Sequence, residues 1–285
     1  MPLTSVSGET ICSGDLRPYL VFETKDGAIV AELFEAAAPR SVRRLVALVV
    51  GEETGIGADP SGDRAQQIGY YDGLTFNYTK PHVEIITAEK EAPEKILIEK
   101  ELDAQALGLH ERRVESAGEA MDIFQLELFP AYNKVKKSGR AMPQMKQWLE
   151  QWESSGSADF LVGVSRQEIN EAIGYVYQSG LESRPVEKGS LALRPASSTH
   201  STPRLSIALR DLPERTGRHV VIGKITEGLE LADDISIRPL DVEPGFRSYD
   251  NAPRNPVVIE SVRLKCIEKM LEAGNGREQG TGNVN

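Results

Sequence analysis

The residue types that usually carry out chemistry are sparse in this sequence and form no catalytic or metal-binding pattern. His82, His110 and His200 are scattered along the chain, without the spacing that metal ligands need. No nucleophile elbow supports Ser-His-Asp chemistry. We therefore expect neither a metal nor a cofactor.

A strand with a hydrogen-bonding side chain follows a turn in the first third of the chain. Asp72-Gly73 is a turn signal, because glycine tolerates positive φ. Leu74, Phe76 and Tyr78 then alternate onto one face, which is the period of a β-strand. The pattern places the phenol of Tyr78, a hydrogen-bond donor, on a regular element.

Other strands are predicted on both sides of this one. Asp26-Gly27 is a strong hairpin turn, and a helix is expected to begin at Pro39 and to end at Gly51. Strand patterns occur in residues 19–23, 28–33, 83–87, 96–98, 189–193, 204–209 and 256–262. These elements predict a mainly β fold.

The middle of the chain, residues 109–188, shows helical periods in place of strand alternation. Pro130 is expected to end one helix and Pro143 to begin the next. A capping box of Ser165 and Glu168 opens a third helix, which we expect to bury its apolar face as far as Val176.

The predicted division of the chain follows from these patterns. It consists of an irregular arm (1–18), a β domain in two pieces (19–108 and 189–265), a helical insertion (109–188) and a tail (266–285) that is expected to be disordered at its end.

Several motifs, in the right order, resemble those of the cyclophilin-type peptidyl-prolyl isomerases. Tyr71-Asp72-Gly73 with Phe76 is similar to the family's Tyr-Asp-Gly-x-x-Phe strand. Residues 217–225 read Gly-Arg-His-Val-Val-Ile-Gly-Lys-Ile, close to the family's Gly-Lys-His-Val-Val-Phe-Gly-Lys-Val. The resemblance implies a closed, mainly antiparallel β-barrel with two capping helices, which the helical insertion interrupts.

The resemblance also implies where an isomerase site would lie, and most of the family's residues are missing there. The catalytic arginine is replaced by Tyr78, and the glutamine that orients it is replaced by Ile86. A methionine is replaced by Glu84, and the ring at the floor of the proline pocket by the hydroxyl of Ser206. Only His219 keeps its identity. We therefore expect weak or no isomerase activity.

Two interpretations of the groove remain open at this stage. Arg194 or Arg204 can replace the missing arginine from another strand, since a guanidinium is a fixed, charged fork of donors. Alternatively, the groove binds Pro-containing segments without turning them over. The residues expected to line it are Tyr78, Val83, Leu193, Arg194, Arg204, Leu205, Leu212 and His219.

The insertion carries a stripe of large apolar residues at helical spacing. Met142, Met145, Trp148 and Trp152 recur at intervals of three and four residues. Met and Trp are favoured at interfaces, so the stripe is a candidate partner surface. The alternative is that it packs on the barrel or on the other insertion helices.

Composition narrows the possible partners and location. The net charge of −10 argues against a nucleic-acid binder. Cys12 and Cys266 can form one long-range bridge, although two free thiols are the favoured interpretation. Without a signal peptide pattern or a long apolar run, the expected location is cytoplasmic.

These observations lead to two hypotheses for the function. The first is a cyclophilin-like protein with a degenerate isomerase site, which acts as a non-catalytic binding or structural subunit of a larger assembly. The alternative is an active prolyl isomerase or folding chaperone with unusual site residues.

Overall fold

The computed structural model describes residues 11–51, 69–90, 95–136, 142–241 and 252–268. The strands of this part of the chain are β1 (Arg17–Thr24), β2 (Gly27–Leu33), β3 (Thr75–Lys80), β4 (Glu84–Thr87), β5 (Ile98–Glu99), β6 (Ser190–Pro195), β7 (His200–Ala208), β8 (Val220–Glu227) and β9 (Val257–Ile267). The helices are α1 (Pro39–Val50), α2 (Ala117–Ile123), α3 (Phe129–Lys136), α4 (Pro143–Ser155), α5 (Arg166–Ala172) and α6 (Leu229–Ser236).

Eight of the strands close into an antiparallel barrel. Their order is β4-β3-β9-β1-β2-β8-β6-β7, and β4 also pairs with β7, which closes the ring. The ninth strand, β5, lies outside on β7. Closure removes the exposed edges that an open sheet would present. The predicted mainly β, closed cyclophilin-like barrel is confirmed.

Alternate residues of the strands fill the barrel interior, and two helices add to the same core. Phe22 and Ile259 belong to this core, together with Leu45 of α1 and Ile235 of α6. Helix α1 begins at Pro39 and ends before Gly51, whose φ of 80° is the left-handed conformation that favours glycine. These ends match the sequence prediction.

The Asp-Gly turn before β3 is fixed to the last strand. The carboxylate of Asp72 accepts hydrogen bonds from the backbone N–H of Val262 (2.9 Å) and from Arg263. Gly73 has a φ of 81°, as the turn requires. The predicted turn therefore also positions β3, and with it Tyr78, relative to β9.

The insertion helices have a hydrophobic core of their own, separate from the barrel interior. It contains Ile123 and Phe124 from the first helical segment, Met145 and Trp148 from α4, and Ile169 from α5. The capping box at the start of α5 is present, since the side chain of Ser165 accepts from Glu168 N and the Glu168 carboxylate accepts from Ser165 N.

Two helix ends in the insertion differ from the sequence prediction. Pro130 does not end its helix, because a π-helical turn (Phe124–Leu128) directly precedes α3; such bulges accommodate a residue that cannot donate a normal hydrogen bond. Helix α5 ends at Ala172 instead of continuing to Val176, because Gly174 takes a φ of 94° and turns the chain away.

A disulfide joins Cys12 to Cys266, so the favoured interpretation of two free thiols is wrong. Cys266 lies in β9, where it is opposite Pro18 of β1. Strand β9 therefore extends into the segment expected to be tail; residues 269–285 lie outside the described residues. Within the described residues, no helix is long and apolar enough to cross a membrane, and no group of three or more His, Cys, Asp or Glu could hold a metal.

Candidate functional site

The groove is built on the outer face of five neighbouring strands. Tyr78 of β3 lies opposite Ile86 of β4, Ile86 opposite Ser206 of β7, and Ser206 opposite Ala192 of β6. Ala192 in turn lies opposite Val221 of β8. Residues directly opposite each other in antiparallel strands project from the same face. The register thus brings three of the expected site positions, Tyr78, Ile86 and Ser206, together in one row. The prediction that Phe76 and Tyr78 share a face is wrong, because the register shifts between them and Phe76 points into the barrel core.

Leu193 and Leu205, two of the expected groove residues, do not line this face. They are opposite each other in β6 and β7, one position away from the outward row, and both are fully buried in the barrel interior. Because strand side chains alternate between faces, residues next to Ala192 and Ser206 must point inward. The assignment of Leu193 and Leu205 to the groove is therefore corrected.

A buried, hydrogen-bonded carboxylate lies at the centre of the groove. Glu84 is 1% exposed; it accepts a hydrogen bond from Ser206 Oγ (2.9 Å) and two from the guanidinium of Arg215, of which the Nη2–Oε1 bond is 2.6 Å. Burial alone would raise the pKa of Glu84, but the donors Arg215 and Ser206 hold that pKa below its ordinary value. Burial would lower the pKa of Arg215, but the hydrogen bonds to Glu84 and its negative charge together outweigh burial, so the pKa of Arg215 is raised.

The other two arginines of the groove differ in how their side chains are used. Arg204 donates to the carbonyl of Thr87 (2.9 Å) and to Oδ1 of Asn77 (3.0 Å), so its fork is occupied. Nη1 of Arg194 lies 3.9 Å from Oε2 of Glu84, too far for a hydrogen bond. The guanidinium of Arg194 makes no hydrogen bond within the described residues. Burial, followed by the charges of Arg215 and Arg204, lowers the pKa of Arg194.

His219 is half-buried at the end of the groove next to these arginines. Both ring nitrogens are inaccessible to solvent and neither has a hydrogen-bond partner among the described residues. Burial, with the positive charges of Arg215, Arg194 and Lys100, lowers the pKa of His219 to about 3. The imidazole is therefore neutral at physiological pH, with one donor and one acceptor nitrogen unused.

The remaining expected groove residues form an apolar patch beside Glu84. Val83 is half-buried and packs against a small cluster that contains the fully buried Leu212 together with Ala192 and Val221. Val83 is therefore a surface that a ligand can touch, whereas Leu212 supports it from below.

The insertion is fastened to the segment that leads into His219. Arg218 donates hydrogen bonds to Glu127, in the π-helical turn, and to Oδ1 of Asn170 in α5 (2.9 Å). Behind it, the ammonium of Lys100 is buried, donates to the carbonyl of Arg218 (2.8 Å) and lies over the ring of Tyr175. Burial, with the charge of Arg218, lowers the pKa of Lys100 to about 7.

Sequence reasoning missed these charged partners. Arg215, Lys100 and Glu127 lie on elements far apart in the chain, and no motif relates Glu127 to Arg218 or Arg215 to Glu84. The one available signal was an acidic residue, Glu84, at a strand position where the family resemblance predicts a methionine, since a carboxylate that becomes buried requires a cationic partner.

The apolar stripe of the insertion is mostly inside it. Met145 and Trp148 are 2% and 6% exposed, and Trp152 stacks on the ring of Phe124 with 5.0 Å between centroids. Met142 is 45% exposed. For three of the four residues the structure favours the alternative of packing within the insertion, and of the four only Met142 is exposed.

Comparisons with known proteins identify the family of this chain. The model of the family described as "Cyclophilin type peptidyl-prolyl cis-trans isomerase/CLD" matches residues 19–264. The chain belongs to this family. No curated protein matches the chain.

Similar solved structures include two of a cyclophilin type peptidyl-prolyl cis-trans isomerase from Cryptosporidium parvum. The first shares 13% identity with a TM-score of 0.41, and covers 87% of this chain and 98% of that one. The second, in the presence of the dipeptide Ala-Pro, shares 14% identity, with the same TM-score of 0.41 and the same coverage of 87% and 98%.

Proposed function

We propose that this protein is a non-catalytic member of the cyclophilin family, which binds peptide segments in its groove as a subunit of a larger assembly. The observation that carries the proposal is the network of Glu84, Arg215 and Ser206. It occupies the part of the groove where the resemblance to the family predicts a methionine and the aromatic floor of the proline pocket.

The chemistry of isomerisation explains why this network opposes turnover. The barrier of roughly 20 kcal/mol comes from amide resonance, and a catalyst lowers it with an apolar pocket for the twisted ring and a donor to the prolyl amide. Here Tyr78 is an uncharged donor, and Glu84 is an ionised group held in place by its partners. A proline ring placed against this network would meet charged and polar groups that are already paired with one another, in place of the apolar pocket that the twisted ring needs.

The insertion supports the role in an assembly. It is anchored next to the groove through Arg218, and it presents a cleft of about 460 Å³ whose lining includes the exposed Met142 together with Glu168 and Glu171. We place the partner contact at this cleft instead of along the whole predicted stripe.

The disulfide is relevant to the cytoplasmic location expected from the sequence, which no observation has tested. Disulfides persist in oxidising compartments and are rare in the cytosol. The bond between Cys12 and Cys266 therefore favours a location outside the cytosol. Alkylation of thiols in freshly quenched source material, with and without reductant, would show whether the bond is formed there.

The alternative, an active isomerase, rests on one specific observation. The guanidinium of Arg194 is not hydrogen-bonded to any other described residue, and Tyr78 is among its electrostatic neighbours. Arg194 thus has the free donors that a substitute catalytic arginine needs.

A prolyl isomerisation assay on the full, oxidised chain separates the two functions. We expect no acceleration of an Xaa-Pro tetrapeptide by wild type or by Tyr78→Arg, with circular dichroism showing a folded barrel in both. Acceleration that His219→Ala or Arg194→Lys abolishes, and that the control Arg17→Lys on the opposite side of the barrel retains, would contradict the proposal and establish the alternative.

A further inference from the structure

The groove is positively charged in a protein whose net charge is −10. The guanidinium groups of Arg194 and Arg215 lie at the carboxylate of Glu84, and Arg204 is an electrostatic neighbour of Arg194. With Glu214 beside Arg215, three guanidinium groups face two carboxylates, so the cluster keeps a net positive charge and is partly shielded from water. Such a site attracts an anionic group from solution.

Only one of the three guanidinium groups has donors available to a ligand. Arg215 is paired through two nitrogens with Glu84, and Arg204 is held by Thr87 and Asn77. The Arg194 side chain, 32% exposed, lies too far from Glu84 for a hydrogen bond. Its planar donors match the two oxygens of a carboxylate, which a guanidinium binds through two parallel hydrogen bonds.

A second group at the site lacks a partner. The nitrogens of His219 are buried and unpaired among the described residues, although buried polar atoms normally have hydrogen-bond partners. A neutral imidazole offers one N–H that a carboxylate or a peptide carbonyl can accept. The unsatisfied histidine therefore points to a ligand that is polar as well as anionic.

We propose that the groove binds a carboxylate of a peptide segment, with Arg194 as the residue that pairs with it. The proposal rests on the proposed function, because it names the kind of segment that the groove holds. The half-buried Tyr78 and Val83 give the rest of the segment an apolar surface next to the charged group. A free inorganic anion would leave that surface unused.

The test compares peptides that differ in one charge. Three N-terminally labelled peptides of equal length contain a proline; the first has a central glutamate and an amidated C-terminus, the second has glutamine in its place, and the third has glutamine and a free C-terminal carboxylate. Binding to the full, disulfide-bonded chain is measured by fluorescence anisotropy at low salt. The variants are Arg194→Gln and, as a matched control on β1, Arg17→Gln.

We expect at least one carboxylate peptide to bind about 10- to 100-fold more tightly than the amidated glutamine peptide, which is the range for a charge-assisted hydrogen bond. Arg194→Gln should remove that difference, and Arg17→Gln should keep it. An advantage of the first peptide identifies a side-chain carboxylate, and an advantage of the third identifies a chain terminus.

Two results would overturn the inference in distinguishable ways. Equal binding of all three peptides would refute carboxylate recognition and leave peptide binding by the groove intact. No binding of any peptide to a chain with a wild-type thermal melt would refute the proposed function as well. Because the guanidinium of Arg194 makes no hydrogen bond to other described residues, replacement of this side chain is not expected to unfold the chain, and the melt checks this.

Discussion

At the scale of single residues, the buried carboxylate of Glu84 depends on donors from two other elements. Arg215 comes from the segment before β8 and Ser206 from β7. Removal of one partner of a buried ion pair leaves the other charge without compensation, and this usually costs more than the pair itself contributes. Glu84 therefore stabilises the fold. It also makes the groove polar at a position where the family resemblance predicts a methionine.

Glu84→Gln is expected to reduce the free energy of unfolding by about 3–5 kcal/mol at pH 7, since it leaves the Arg215 charge unpaired. The measurement is urea unfolding followed by circular dichroism. Glu32→Gln is the control, because Glu32 pairs with an arginine that is 51% exposed, and its loss should cost about 1 kcal/mol or less.

The same variant has a predictable pH dependence. Since the pKa of Glu84 is lower in the folded state than its ordinary 4.5, its stabilisation is fully present above that value and is lost as the pH falls through the folded pKa. The difference between wild type and Glu84→Gln should therefore shrink below about pH 4. A difference that is constant from pH 7 to pH 3 would contradict the ionised pair.

His219 gives a second pH dependence at higher pH. Its folded pKa of about 3 lies below the ordinary 6.5, so the unfolded chain binds the extra proton and stability falls as the pH drops below 6.5. The slope from this residue approaches about 1.4 kcal/mol per pH unit. His219→Gln should remove that slope between pH 6.5 and 5, whereas the exposed His110→Gln should keep it.

At the scale of elements, the burial of the apolar stripe distinguishes packing from partner binding. Trp148 is 6% exposed in the core of the insertion, and Met142, six residues before it, is 45% exposed. Trp148→Ala should destabilise the insertion by about 3–5 kcal/mol, and Met142→Ala should change stability by about 0.5 kcal/mol or less. Equal small effects, measured by urea unfolding, would show that Trp148 is not a core residue.

The elements that the sequence predicted well are those with a local cause. The Asp26-Gly27 hairpin, the helix between Pro39 and Gly51 and the capping box of α5 each depend on residues a few positions apart. The end of α5 was missed although part of its cause is local, because Gly174 lies inside the predicted helix and takes a φ of 94°. The other part is distant: the hydroxyl of Tyr177 accepts a hydrogen bond from Asn170 and donates one to the carbonyl of Gly217, outside the insertion.

The features of the candidate site also fall into those that the sequence shows locally and those that depend on distant parts of the chain. The sequence alone shows that Tyr78 replaces the family's arginine and that Ser206 replaces the ring at the pocket floor. The pairing of Glu84 with Arg215, and the open fork of Arg194, depend on how distant strands meet. The inward direction of Leu193 follows from the exact register of β6, which a strand pattern leaves uncertain by one residue.

At the scale of the whole molecule, the disulfide closes the seam between the first and last strands of the barrel. A bond across so long a segment typically contributes about 2–4 kcal/mol. Reductant should therefore lower the urea midpoint of the wild type, and it should leave a Cys12→Ser, Cys266→Ser double variant unchanged. A wild-type midpoint that is insensitive to reductant, with both thiols shown by alkylation to be free, would mean that the bond does not support the fold.

The bond between Cys12 and Cys266 also makes the intervening polypeptide a covalent ring. The entire insertion and all nine described strands, except Ile267 at the end of β9, lie on this ring. A protease that cuts the ring once opens it without releasing a fragment. A singly nicked molecule would thus run as one species on a denaturing gel without thiol and as two after reduction.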